Sequence, residues 1–161
     1  MSSQTESSRS DLPVAVIGAG PVGLAAAAEL VERGLRPVVF EAGTEVGASI
    51  REWAHVAMFS PWEYDVSPAA VRLLEETGWR QPPAGEMPTG ADLVARYLEP
   101  LAAHPRLRGS IRLGARVESV ARRGHDVLRN GRGGGREAAP LIVRVRSNDG
   151  EQDVLVRAVI D

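Results

Sequence analysis

One hexapeptide constrains this 161-residue chain more than any other feature. It is Gly18-Ala19-Gly20-Pro21-Val22-Gly23, set between the apolar run Val14-Ala15-Val16-Ile17 and an alanine-rich segment. The run has strand length and no polar residue, the pattern of a parallel strand buried on both faces. The three glycines have separate uses. Gly18 permits a tight turn, Gly20 leaves the backbone unobstructed before a pyrophosphate, and Gly23 lets the following helix pack closely on the strand. Pro21 has no N–H. The donors predicted to face a phosphate are therefore those of Gly20, Val22 and Gly23, at the positive end of the helix.

The helix is predicted from Pro21 to Arg33, with Gly34 as its C-terminal cap, and a second buried strand from Pro37 to Phe40 ends at Glu41. Residues 14–41 thus read as one βαβ unit. Glu41 lies 18 residues after Gly23, where a carboxylate accepts from both ribose hydroxyls of an adenosine. A 2′-phosphate would meet that carboxylate with like charge, and Ala42-Gly43 brings no arginine to compensate, so NADP is disfavoured at this position. The plainer alternative is a glycine-rich helix entry beside a solvated glutamate.

Composition removes whole chemistries. All 19 basic residues are arginine and there is no cysteine. A lysine-dependent phosphate loop, a Schiff-base lysine, a thiolate nucleophile and a Cys-x-x-Cys redox pair are excluded. A net charge of -2 argues against a nucleic-acid partner. The segment RNGRGGGR at Arg129–Arg136 reads as a surface connection, because one copy without an aromatic is a poor base-stacking platform. The uncharged stretch Leu12–Ala28 is broken by Gly18, Gly20, Gly23, Pro13 and Pro21, so neither a membrane span nor a leader is expected, and the expected compartment is cytoplasmic. Residues 1–11 read as a flexible polar tail, and residues 12–161 as one domain. His55, His104 and His125 are scattered without ligand spacing, so no metal is expected.

Beyond Glu41 the chain reads as irregular and aromatic-rich as far as Ser67. A helix is predicted from Pro68, with Val71, Leu74 and Trp79 on its apolar side and Gly78 as its stop. Thr89 and Asp92 form a capping box for a helix carrying Leu93, Val94, Tyr97, Leu98 and Leu101, with a kink expected at Pro100. Strands are predicted at Ile111–Leu113, Arg116–Ala121, Leu141–Arg146 and Asp153–Ile160, a set that reads as a small antiparallel meander.

The segment VAVIGAGPVGLAAAAELVERGLRPVVFEAG resembles the N-terminal FAD-binding motif of flavoproteins with two dinucleotide-binding domains, particularly flavin-containing monooxygenases and related FAD-dependent oxidoreductases. The Gly47–Trp62 stretch resembles the Gly-Gly-x-Trp region of that family, departing from it at Ala48, where a second glycine is common. Residues 111–161 resemble its third strand, crossover meander and fourth strand. The resemblance implies an α/β, Rossmann-like three-layer fold with a parallel sheet and an antiparallel meander crossover. It also implies FAD as cofactor, held by the Gly18–Gly23 turn, Glu41 and Ala42.

The same resemblance offers Arg51 to the FAD phosphates, with a solvated arginine as the alternative. Trp53, Phe59 and Trp62 flank the isoalloxazine or serve as core, and the Val117 backbone lies at the adenine edge or Val117 is a core valine. The family's second Gly-x-Gly-x-x-Gly, its NADPH site, has no counterpart here. The chain therefore reads as a fragment, incomplete at the C-terminus, with NAD(P)H expected only for a complete enzyme. Association through the open edge at Val154–Ile160, with the absent portion or with another copy, is a further expectation. Two other readings stay open: a non-catalytic FAD- or NAD-binding module, and the Rossmann unit of an NAD-dependent dehydrogenase.

Overall fold

The computed structural model describes residues 11–123 and 139–161. Nearly all of the sequence-read tail, together with the RNGRGGGR segment and His125, lies outside the described residues. Four strands form a parallel sheet in the order β3 (Ile111–Arg112), β2 (Pro37–Phe40), β1 (Val14–Ile17), β7 (Ala158–Ile160). Strand side chains alternate between faces, and the sheet buries both. Val14, Val16 and Val39 enter one core with Leu24, Ala27, Ala28 and Val31 of helix α1 (Pro21–Glu32). Ala15, Val38 and Phe40 enter a second core with Val143, Val145 and Val156. This double burial is why β1 has no polar residue. The three-layer α/β reading holds, and no helix among the described residues is long and apolar enough to cross a membrane.

Helix α1 ends as its sequence predicts. Gly34 takes φ +70°, its N–H donates to the Val31 carbonyl, and the Leu35 N–H donates back to Leu30. These are the two reverse bonds that satisfy the last carbonyls of a helix in a Schellman ending.

The connection from β2 to β3 builds the helical layer. The stretch read as irregular contains two one-turn helices, α2 (Ala48–Arg51) and α3 (Trp62–Asp65), too short for a 3.6-residue period to show. Helix α4 (Pro68–Glu75) buries Ala69, Ala70, Leu73 and Leu74. Its apolar side is therefore shifted from the predicted Val71 stripe, because small alanines let α4 lie close to α1. Thr89 forms the predicted capping box: the Asp92 N–H donates to Thr89 Oγ1 (3.1 Å) and the Thr89 N–H to Asp92 Oδ2 (3.0 Å). The helix it opens runs as α5 (Gly90–Leu93), a π-helical turn (Val94–Leu98) and α6 (Glu99–Ala103). Just before Pro100, where a kink is expected, the helix widens into this π-helical turn.

The connection from β3 to β7 builds the other layer, the antiparallel ladder β4 (Arg116–Arg122), β5 (Leu141–Ser147), β6 (Gly150–Val156). The single strand predicted at Asp153–Ile160 is two strands in different sheets. At Arg157 the chain leaves the meander, donating its N–H to the Pro13 carbonyl (2.9 Å), and β7 then pairs with β1. Residues 154–160 are apolar except for Arg157, and no glycine or proline marks the corner, so the sequence does not show the change of sheet.

Candidate functional site

The turn between β1 and α1 sits at the carboxyl end of the parallel strands, where open α/β sheets bind ligands. Gly18 has φ +94°, a conformation costly for any other residue. A Cβ built at Gly23 would lie 2.0 Å from the Gly18 carbonyl oxygen, so this glycine lets the helix start against the turn itself. Gly20 is the opposite case: nothing lies within 4 Å of a Cβ placed there, and its backbone faces open space. The first helical bond runs from the Leu24 N–H to the Gly20 carbonyl. The Val22 and Gly23 N–H groups are first-turn donors with no helical acceptor, and Pro21 contributes none. Val22 is 80% exposed, so the first turn meets solvent.

Glu41, at the end of β2, is fixed from four directions. Its N–H donates to the Arg112 carbonyl (2.9 Å) and its carbonyl accepts from the Ala115 N–H (2.7 Å). Its carboxylate accepts from the Ala19 N–H at Oε2 and from the Gly43 N–H at Oε1, both at 2.7 Å. Ala19 is wholly buried, and its carbonyl in turn accepts from the Gly47 N–H (3.0 Å). One residue, Ala19, thus ties the glycine turn, the acid and the N-terminus of α2 together. A Cβ at Gly43 would lie 2.5 Å from the Cβ of Ala48. The missing side chain at 43 is what accommodates alanine at 48. Ala42 is exposed beside Glu41.

The other sequence-read residues fall in different places. Arg51 is engaged by carboxylates: its Nε lies 3.0 Å from Glu45 and donates to the Val46 carbonyl, and its Nη2 donates to Glu99 at 2.7 Å. Trp53 is half-buried, with its ring against Gly90. Trp62 is fully buried under the Arg96 guanidinium (5.4 Å to the ring centre), whereas Phe59 is 94% exposed. Val117 pairs with Val145 beside a bulge in β4 and packs on the second core. The structure therefore gathers Gly18, Gly20, Pro21, Val22, Gly23, Glu41 and Ala42, and leaves Arg51 in a network of its own.

A cavity of about 390 Å³ opens beside the first turn of α1, walled by Pro21, Val22, Met58, Tyr64, Asp65 and Tyr97 among others. Sequence reasoning missed its polar members. Ser60 donates to Asp65 Oδ1 (2.6 Å), while Asp65 Oδ2 is buried with no partner among the described residues. The Tyr97 hydroxyl accepts from the Ser67 N–H (3.0 Å), and burial pushes its pKa up. Tyr97 reaches this segment from 30 positions beyond Ser67, so no local spacing announces the pairing.

The model of the pyridine nucleotide-disulphide oxidoreductases matches residues 15–142. The chain belongs to this family. Over 116 residues the chain is 35% identical to the thiamine thiazole synthase of Pyrobaculum calidifontis, covering 71% of this chain and 42% of that protein. Among solved structures, the bacillithiol disulfide reductase Bdr of Bacillus cereus superposes with TM-score 0.65 at 22% identity, covering 92% of this chain and 38% of that one. An oxidized steroid monooxygenase bound to NADP gives 0.63 at 26% identity, covering 92% and 25%. A structure of OTEMO with FAD and NADP gives 0.61 at 19%, covering 92% and 24%. The chain thus spans less than half the length of each of these relatives. The resemblance to FAD-dependent oxidoreductases with monooxygenases among them holds.

Proposed function

We propose that residues 12–161 are the FAD-binding part of an FAD-dependent NAD(P)H oxidoreductase of the monooxygenase type. The observation that carries this reading is the Glu41 carboxylate, anchored on the Ala19 and Gly43 N–H groups beside the open backbone at Gly20. An acid used only for solubility has no reason to be fixed at both oxygens. Each carboxylate oxygen keeps a further lone pair, which suits it to accept from ribose hydroxyls. The free N–H groups of Val22 and Gly23 and the dipole of the 12-residue helix suit a pyrophosphate. These residues fit a dinucleotide. The Gly20–Gly23 turn and Glu41 would hold FAD, which when bound would supply hydride-transfer redox chemistry. The absence of cysteine favours the monooxygenase-like reading over dithiol exchange within these residues.

The test is reconstitution of the purified chain with FAD, followed by desalting and an absorption spectrum. Retention of the visible flavin band by the wild type and its loss in Gly20→Val, at unchanged circular dichroism, is the expected result. A colourless wild type, or equal retention by a folded variant, overturns the reading.

A further inference from the structure

A cleft of about 590 Å³ lies at the outer edge of β2 toward the end of the sheet where the strands begin. It is remote from the Gly18–Gly23 turn, which follows the strands' carboxyl ends. Three arginines line it, Arg36, Arg106 and Arg112, together with Ser110 and the glycines 34 and 109; among the described residues no carboxylate lines it. In a chain with more acids than bases, three cations on one concave surface are not what composition alone gives.

Among the described residues each guanidinium is held by one or two contacts, fewer than its five donors. Arg106 donates to the Val31 carbonyl (3.1 Å), which covers the negative end of α1, and to Glu76 (3.2 Å). That first bond matters, because bare carbonyls at a helix C-terminus repel an anion. Arg36 donates to the Asp11 carbonyl. Arg112 lies over the buried Phe40 ring, 5.5 Å from its centre, an arrangement that orients the planar fork without a carboxylate to neutralise it. The cleft exists because β3 pairs with β2 only at Val39 and Phe40, leaving the edge at Pro37 and Val38 uncovered. Pro37 has no N–H to leave unpaired there.

We infer that this cleft is a second anion site, separate from the glycine turn, which takes a di- or triphosphate group. Planar, permanently charged forks suit phosphate oxygens, and three of them favour a multiply charged group over a single phosphate. The assignment does not depend on FAD binding, which the flavin spectrum reports separately.

Inorganic tripolyphosphate, pyrophosphate and phosphate are titrated at constant ionic strength into the Gly20→Val chain, which removes competition from the helix N-terminus. The expected order of affinity is tripolyphosphate, pyrophosphate, phosphate. The strongest binding should weaken at least tenfold in a further Arg36→Gln, Arg112→Gln variant, and amide shifts should centre on Gly34, Gly109 and Ser110. Should Arg112→Gln fail to fold, Arg36→Gln alone, at an exposed position, still weakens binding severalfold. Equal affinity with and without the arginines, no preference for higher charge, or shifts confined to residues 18–23 overturns the assignment.

Discussion

The indole Nε1 of Trp79 donates at 2.7 Å to the carbonyl of Arg96. In a regular helix that carbonyl would accept from residue 100, which is Pro100 and has no N–H. A side chain 17 positions earlier in the sequence therefore supplies the donor that the helix lacks. Trp79→Phe keeps the ring and removes the donor, at an expected cost of about 0.5–1.5 kcal/mol. In a Pro100→Ala background the helix regains its own N–H and the same substitution should cost less. Urea midpoints of the four proteins test this, and an equal cost in both backgrounds counts against the assignment.

Gly20 and Gly23 should separate binding from folding. Gly23→Ala puts a methyl group 2.0 Å from the Gly18 carbonyl oxygen, so the turn or helix must shift, at a cost of about 1–3 kcal/mol or more. Gly20→Ala meets nothing within 4 Å and has a φ of -85° that any residue adopts. Thermal unfolding should show a clear loss for the first and little change for the second. FAD retention should fall in both.

Glu41 has a structural duty as well as the proposed binding one. Glu41→Ala leaves the buried Ala19 N–H without its acceptor, an expected loss of about 1–3 kcal/mol before any ligand is added. Glu41→Gln retains one acceptor oxygen for two N–H donors and should fall between wild type and alanine. Chemical denaturation without ligand measures this, and an unchanged midpoint for Glu41→Ala would place those bonds outside the stability of the fold.

Asp92 should make the helical layer acid-sensitive. The Thr89 hydroxyl, and after it the Thr89 N–H, hold the Asp92 carboxyl below its ordinary pKa. A depressed folded-state value stabilises above the unfolded value of about 3.9, and the contribution is lost as pH falls through the folded value. Asp92→Ala should therefore cost about 1 kcal/mol near neutrality, as capping residues do. The gap to wild type should narrow below about pH 4. Denaturation midpoints across that range read it, and a gap that is constant with pH would rule it out.

The part of the fold legible in the sequence is the part in which local and tertiary demands coincide. From Val14 to Glu41, strand, turn, helix ending and acid are each fixed by residue types whose backbone or burial requirements are narrow. Gly18 at φ +94° and Gly34 at φ +70° sit where only glycine is at ease. The Thr89–Asp92 box was readable for the same reason. The change of sheet at Arg157 was not, since residues 154–160 run apolar on both sides of that arginine with no glycine or proline to mark the corner. Asp65 and Tyr97 were invisible as neighbours because elements far apart in sequence bring them to one cavity. The contacts of Arg51 were hidden in part for the same reason: Glu99, which accepts from its guanidinium, lies 48 positions away in the sequence.

The pairing of Val14 with Ala158 also has a meaning in time. A ribosome adding about 5–20 residues per second takes roughly 7–30 s to travel between these two positions. For that interval the nascent β1 can pair with β2 on one side, but its other hydrogen-bonding edge has no strand to meet. The meander, made just before β7, can assemble by short-range hairpin pairing while that edge waits. An apolar strand kept unpaired this long is a ready template for other chains. The emergence of β7 thus ends a period in which β1 is exposed to misassociation.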